Sequence, residues 1–223
     1  MQDRPEAHRF PESEVYRQIA RIGKAVASPI RLRLLDLLEK GESDVEGLAA
    51  SAGVPLKNTS AQLQQLRAAN LVTNRREGTR ILYRLAGPEV SALVHTLESV
   101  AELRLADLRT AIGDLLGEDD LQPITAEELS PRLGDPDIMV VDVRSAADFA
   151  RGHLPGAVSV PAAELESRLD AMPAGREIIA YCQGPYCVLS PRMVRLLHAH
   201  DVAARPLSGG ITRWQRQGHP VEP

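Results

Sequence analysis

The only two cysteines of the chain, Cys182 and Cys187, fall five positions apart within YCQGPYCVLS, from Tyr181 to Ser190. The segment leaves an apolar β-rich run, turns through Gln183-Gly184-Pro185 and enters a helix-like stretch near Leu189. Strand, tight turn and helix N-terminus in that order gather backbone N–H groups around the first cysteine, a geometry that stabilises an anion. For a thiol it predicts a depressed pKa and more thiolate at neutral pH, the nucleophilic form. Phosphoester cleavage and sulfur transfer both use a cysteine in such a cradle. Phosphatases pair it with an arginine six positions on, a planar fork for two phosphate oxygens, and here that position is Val188. A persulfide carries little charge and needs mainly backbone donors, so sulfur chemistry suits this loop better.

With only two cysteines in 223 residues, a disulfide framework is excluded, and a close thiol pair in a reducing compartment is more often catalytic, redox-active or metal-binding than structural. The length favours two domains. No basic-then-apolar leader opens at Met1, and no apolar run approaches the roughly 20 residues of a membrane span. The expectation is a soluble cytoplasmic protein without a membrane partner. Net charge is −4 but uneven: residues 1–117 carry 16 basic against 15 acidic side chains, residues 118–223 carry 10 against 15. Residues 54–84 set Lys57, Arg67, Arg75, Arg76, Arg80 and Arg84 against Glu77 alone. A polyanion reads such a local concentration, whatever the charge of the whole chain.

The elements that must carry these residues follow from periodicity and breakers. Residues 1–13 are polar and aperiodic and read as a flexible arm. Val15, Ile19, Ile22 and Val26 mark a helix. Ser28-Pro29 opens a second, stopped by Gly41. Ser43 opens a short third helix ended by Gly53, and a fourth runs from Leu56 to Asn70. Two short helices joined by a glycine-containing turn suggest helix-turn-helix, with Lys57, Asn58, Thr59, Ser60, Gln62 and Gln64 at the start of the second as candidate base readers. β-rich runs then flank Glu77-Gly78, a hairpin whose Arg75, Arg76 and Arg80 could follow a phosphate track. From Pro88 to Leu116, Val90, Leu93, Val94, Leu97, Val100, Leu105, Leu108, Ile112 and Leu115 form an apolar stripe too long for one small domain, a candidate dimer face. The acidic GEDDLQP has linker composition. Beyond it, IMVVDV, AVSV and EIIAYC alternate with helix-like segments, which predicts an α/β domain with a parallel, doubly covered sheet.

SPIRLRLLDLLEKG, LAASAGVPLKNTSAQLQQLRAANLV and REGTRILYRL, spanning about Ser28 to Leu85, resemble the winged helix-turn-helix of ArsR/SmtB-type bacterial repressors. That resemblance implies a homodimer built on terminal helices and binding to double-stranded operator DNA with an inverted repeat. The pattern departs from many such repressors in one respect: SDVEGLAAS, before the recognition helix, has no cysteine with which to hold a metal. His95, Glu98 and Glu102 stand at helical spacing, but such triplets are common on solvated helices and histidine-poor sets suit zinc less well, so no metal and no cofactor are expected.

VVDVRSAADFARGHLPGAVSVP, IIAYCQGPYC and LSGGITRWQRQGHPVE resemble the rhodanese family over nearly all of residues 123–223. This second resemblance implies a sulfurtransferase fold in which Cys182 accepts sulfane sulfur within an active loop of Cys182, Gln183, Gly184, Pro185, Tyr186 and Cys187, with Val188 following. It also makes Asp142, Arg144 and His153 supports of that loop. Cys187 could attack a Cys182 persulfide and expel sulfide, or close a polysulfide bridge. The expected organisation is an arm (1–13), a mainly α winged-helix domain for DNA binding and dimerisation (14–116), a linker (117–123) and an α/β rhodanese-like domain (124–223). The expected function is a repressor that senses reactive sulfur species, its donor being thiosulfate, polysulfide or a low-molecular-weight persulfide. Two other readings stand beside it: a working sulfurtransferase that the winged helix only localises, and a repressor responsive to As(III) or another soft metal.

Overall fold

The computed structural model describes residues 10–117, 120–169, 172, 173 and 175–223. The expected arm lies for its first nine residues outside the described part, as do Glu118 and Asp119 of the expected linker. Packing divides the chain between Arg104 and Leu105.

In the first unit α1 (Ser13–Val26) and α2 (Pro29–Leu38) are followed by β1 (Ser43–Asp44), α3 (Val45–Ala52), α4 (Leu56–Ala68), β2 (Val72–Glu77), β3 (Arg80–Leu85) and α5 (Pro88–Arg104). Pro29 starts α2 because its fixed φ suits the first helical position and its missing N–H is not needed there. Asp44, rather than Ser43, caps α3: its carboxylate accepts from the Gly47 N–H at 2.8 Å, while Ser43 pairs with Tyr83 as a strand residue. Gly53 closes α3 with φ 66°, a left-handed stop that leads at once into α4. β2 and β3 pair so that Glu77 faces Arg80, leaving Gly78-Thr79 as the turn, and β1 adds to the other edge of β3. Leu34, Leu35, Leu48, Leu63, Leu66, Tyr83, Val90 and Val94 form the core.

The stripe expected along one helix from Pro88 to Leu116 is divided. α5 ends at Arg104, Leu105 takes an extended backbone (φ −108°, ψ 106°), and α6 runs Ala106–Leu116. The apolar rhythm slips at the same place: the five-residue step from Val100 to Leu105 lands about 140° from the seam at 3.6 residues per turn.

The second unit continues from α6 through α7 (Ala126–Leu129), β4 (Ile138–Asp142), α8 (Ala146–Phe149), β5 (Val158–Ser159), α9 (Leu165–Arg168), β6 (Glu177–Tyr181), α10 (Leu189–His198), β7 (Ala204–Pro206) and α11 (Gly210–Arg216). Its four strands are parallel in the order β5-β4-β6-β7. Alternation along β6 decides the site. Ile178, Ala180 and Cys182 enter the core shared with Met193, Val194 and Leu197 of α10, whereas Ile179 and Tyr181 enter the opposite core with Leu154, Ile211 and Trp214. The pleat therefore delivers the Cys182 thiol to the α10 face. Among the described residues no helix is long and apolar enough to cross a membrane.

Candidate functional site

The loop after β6 is clamped from beneath by the start of α11. Ile211 N–H donates to the Cys182 carbonyl and Thr212 N–H to the Gln183 carbonyl, each at 2.9 Å. The Thr212 hydroxyl donates to the same Gln183 carbonyl at 2.6 Å and accepts from the Gln183 amide at 3.3 Å. Gly210 makes this approach possible: its φ is +58°, and a Cβ there would lie 2.4 Å from the Cys182 carbonyl oxygen.

A buried ionic group steadies the loop from the side. Asp142, fully buried at the end of β4, receives Nε and Nη2 of Arg144, the latter at 2.7 Å, and the Arg144 N–H at 2.9 Å. The guanidinium also donates to the Gly152 carbonyl at 2.6 Å and to the Gln183 side chain at 3.3 Å. Burial pulls the Arg144 pKa down, but the hydrogen bonds and charge of Asp142 outweigh it and the value is raised. The Tyr181 hydroxyl accepts from the Leu154 N–H at 3.1 Å, and burial together with the Asp142 charge pushes its pKa up. Asp142 and Arg144 thus reach Gln183.

His153, expected as a support of the loop, meets α8 and the closing segment. Its ring stacks on Phe149 with centroids 3.8 Å apart, and its backbone exchanges two 2.9 Å hydrogen bonds with Glu222. It pins the closing segment, because GHLPGA forms the turn against which that segment lies.

Cys182 is 1% exposed. The Ser190 hydroxyl donates to its sulfur at 3.3 Å, and the Ser190 backbone N–H favours its thiolate as well. The thiol donates to the Cys187 backbone carbonyl at 3.5 Å. The net direction reverses the expectation of a depressed pKa. The Cys187 contact, then burial, then the Cys187 charge push Cys182 well above the ordinary thiol value, and Ser190 offsets only part of this. Helix-start donors are present, but a second thiol in a dry site outweighs them. Replacing Cys187 by alanine should therefore lower the Cys182 pKa. The alkylation rate of Cys182 against pH would shift to lower pH; an unchanged or upward-shifted profile would contradict the coupling.

A Cys187 N–H to Gly184 carbonyl bond at 3.2 Å closes the turn, with Tyr186 half-buried inside it. Cys187, Gly184, Pro185 and Ser190 face a hollow bounded further by Leu116, Pro123, Pro191, Pro206, Leu207, Ser208 and Gly209. Val188 stands just before α10, largely exposed. Nearly two turns along α10, Arg195 Nη2 donates to the carbonyls of Leu116 at 2.5 Å and Gly117 at 3.2 Å. The helix that begins beside the thiols thereby caps the C-terminal end of α6.

On the first unit, Lys57 is exposed and Asn58 and Ser60 are partly so. Thr59 is a correction: it is fully buried, and its hydroxyl turns back to the Val54 and Pro55 carbonyls. It belongs to the inward stripe Thr59, Leu63, Leu66, so it is unavailable to a base. Gln62 bonds Asn58 at 3.1 Å and accepts from Arg31 at 2.9 Å. Gln64 donates to the Tyr83 hydroxyl at 3.3 Å. Arg75 pairs with Glu42 at 2.8 Å and Glu77 at 3.1 Å, and these carboxylates raise its pKa. Arg80 lies 3.7 Å from Asp44, and Arg76 donates to Gly78 within the turn. Sequence reading passed over Ser190, Thr212 and Arg31, and over Glu42 and Asp44 as counter-charges. Ser190 lies inside YCQGPYCVLS and Thr212 inside LSGGITRWQRQGHPVE, so position relative to Cys182 was the available signal. His95 meets Glu39 and Ser91, and no group of three or more His, Cys, Asp or Glu side chains able to hold a metal occurs among the described residues.

Residues 28–74 match the family described as bacterial regulatory protein, arsR family, and residues 125–217 match the rhodanese-like domain. The HTH-type transcriptional regulator Rv0324 of Mycobacterium tuberculosis is 42% identical over 92% of this chain and 90% of its own length. A sulfurtransferase of Allochromatium vinosum is 30% identical over 44% of this chain and 92% of that protein. A solution structure of a homodimeric winged helix-turn-helix DNA-binding domain from Mycobacterium bovis, a possible ArsR-family regulator, is 41% identical with a TM-score of 0.41, covering 46% of this chain and 94% of that one.

Proposed function

Because the chain belongs to the ArsR family of transcriptional regulators and carries a rhodanese-like domain, we propose that it is a homodimeric repressor whose Cys182–Cys187 loop senses reactive sulfur species. The observation that carries the proposal is the meeting of the chain's only two cysteines: the Cys182 thiol donates to the Cys187 backbone carbonyl at 3.5 Å, beside the Ser190 hydroxyl. Cys182 takes up sulfane sulfur; Cys187 then attacks it and expels sulfide, or closes a longer bridge. The raised Cys182 pKa favours a sensor that loads under sulfur stress over an enzyme that turns over continuously. A second copy would cover Leu93, Leu97, Val100 and Leu103 of α5, all left exposed here.

Operator DNA would meet the start of α4 and the β2–β3 hairpin. Operator retardation with and without polysulfide, paired with intact mass of the same sample, tests the sensor reading. Sulfur loading with no change in operator affinity would sink it. A second test concerns the hairpin. Alanine at Arg75 and Arg80 together should weaken binding to all duplexes and flatten its salt dependence. The loss in log–log slope should stay below roughly 0.9 per residue, because Glu42 and Asp44 already neutralise part of each charge. An unchanged slope would take these arginines off the phosphate track.

A further inference from the structure

Arg31 lies in the first turn of α2, yet its guanidinium is engaged by two other helices. Nε and Nη2 donate to the carbonyls of Ala25 and Lys24, the latter at 2.8 Å, in the last turn of α1. Carbonyls at a helix end lack intrahelical partners, so these bonds hold the guanidinium in place. Nη1 donates to the side-chain oxygen of Gln62 at 2.9 Å. The Gln62 amide nitrogen donates in turn to the side-chain oxygen of Asn58 at 3.1 Å, one turn earlier along α4.

The direction of this relay is fixed by chemistry. A guanidinium has five donors, no acceptor and no neutral form in a protein, so only the oxygen end of the Gln62 amide can face it. That turns the Gln62 nitrogen toward Asn58, and a nitrogen donor admits only the oxygen end of the second amide. The open end of Asn58 is its NH2 group, and among the described residues Nδ2 has no hydrogen-bond partner. Asn58 is half-buried in the first turn of α4, the turn that a helix-turn-helix sets against base edges. Lys57 beside it is exposed and is also a donor only. An asparagine with both ends open reads adenine, its oxygen taking the N6 proton and its nitrogen donating to N7. Here the oxygen is engaged within the protein and the open end carries two N–H groups. The base edge that matches two donors is guanine, whose N7 and O6 are both acceptors, whereas adenine and thymine each offer one.

Resting on the operator reading above, we propose that Arg31, acting through Gln62, sets the hydrogen-bond polarity of Asn58, so that each half-site is read at a guanine and not at an adenine. Asn58 is the reader and Arg31 a positioning residue. The test is selection of duplexes from a randomised library by the full chain, repeated with variants. The wild type should enrich an inverted repeat in which Asn58→Ala flattens one symmetry-related position. At that position the wild type should favour guanine over adenine by roughly 5- to 150-fold, the discrimination of a good bidentate pair. Gln62→Glu supplies a carboxylate that still pairs with Arg31 but has no donor, so the Asn58 amide turns its nitrogen inward and its oxygen outward. The same position should then move from guanine toward cytosine, whose N4 donates. Arg31→Lys keeps a donor against Gln62 and should keep guanine, while Arg31→Met releases the relay and should bring adenine up to parity. These readouts are base preferences, which a general loss of stability, weakening all duplexes alike, does not move. Adenine or thymine at the Asn58 position, no position that responds to Asn58→Ala, or a Gln62→Glu protein that keeps guanine would overturn the polarity and leave the operator reading standing. A wild type that enriches nothing would overturn both.

Discussion

Cys182→Ser should abolish sulfur loading and, with it, any change in operator affinity. A hydroxyl is not appreciably ionised at neutral pH and cannot hold sulfane sulfur, and serine is close enough in shape to keep the core shared with α10. Cys187→Ser should still take up sulfur at Cys182 but close no bridge, so its operator response should be weak. The wild type should change its affinity roughly 5- to 150-fold, about 1–3 kcal/mol, the usual strength of coupling between linked sites. The structure supplies a physical path for part of the distance: Ser190 touches Cys182 and lies in α10, and Arg195 of the same helix holds the last carbonyls of α6. The chain leads from α6 back to α5 and the DNA-binding unit. The decisive measurement is operator affinity of the three proteins before and after polysulfide treatment. If both serine variants respond as the wild type does, the cysteines are not the sensor.

The second large effect concerns assembly. Leu97 sits on α5 with 40% of its surface exposed, between Leu93 and Val100 on the same face. An aspartate there would place a charge in the expected dimer seam. Leu97→Asp should run as a monomer by light scattering at micromolar concentration. Because an inverted repeat is gripped by two linked half-site readers, operator affinity should fall by roughly 10²- to 10⁴-fold, the gain that linkage confers. A Leu97→Asp protein that remains dimeric would place the interface elsewhere.

Local rules carried the sequence reading far. Pro29, Gly53 and the apolar spacings located α1 to α4, and the order of strand, Gly-Pro turn and helix start located the thiol loop. What stayed hidden depends on distant neighbours. Thr59 looks like a reader because it is polar, yet the same 3.6-residue rhythm that buries Leu63 and Leu66 carries it inward. The sign of the Cys182 shift followed from the depth of the site and from a second thiol folded onto the first, and spacing reveals neither. Glu42 and Asp44 are far from the hairpin in sequence and beside it in space. β7 is three residues long and contains a proline, too little pattern to be read as a strand. The break at Leu105 carried a warning in the five-residue step before it, which counting apolar residues along a single stripe concealed.

The cap that Arg195 places on α6 bears on how this protein can be divided. The acidic stretch after Gly117 looks like the natural place to cut, but a fragment ending there would keep α6 and lose its partner. Leu116, buried to 6% exposure, would face water, and the carbonyls of Leu116 and Gly117 would lose their donor. Gly117, left-handed and pressed against the guanidinium, would close a helix with nothing to close against. A cut just before Leu105, where the backbone is already extended, follows the division in packing and leaves each fragment with its own core. The seam between the two units thus lies upstream of the most linker-like sequence, and α6 belongs with the rhodanese-like domain.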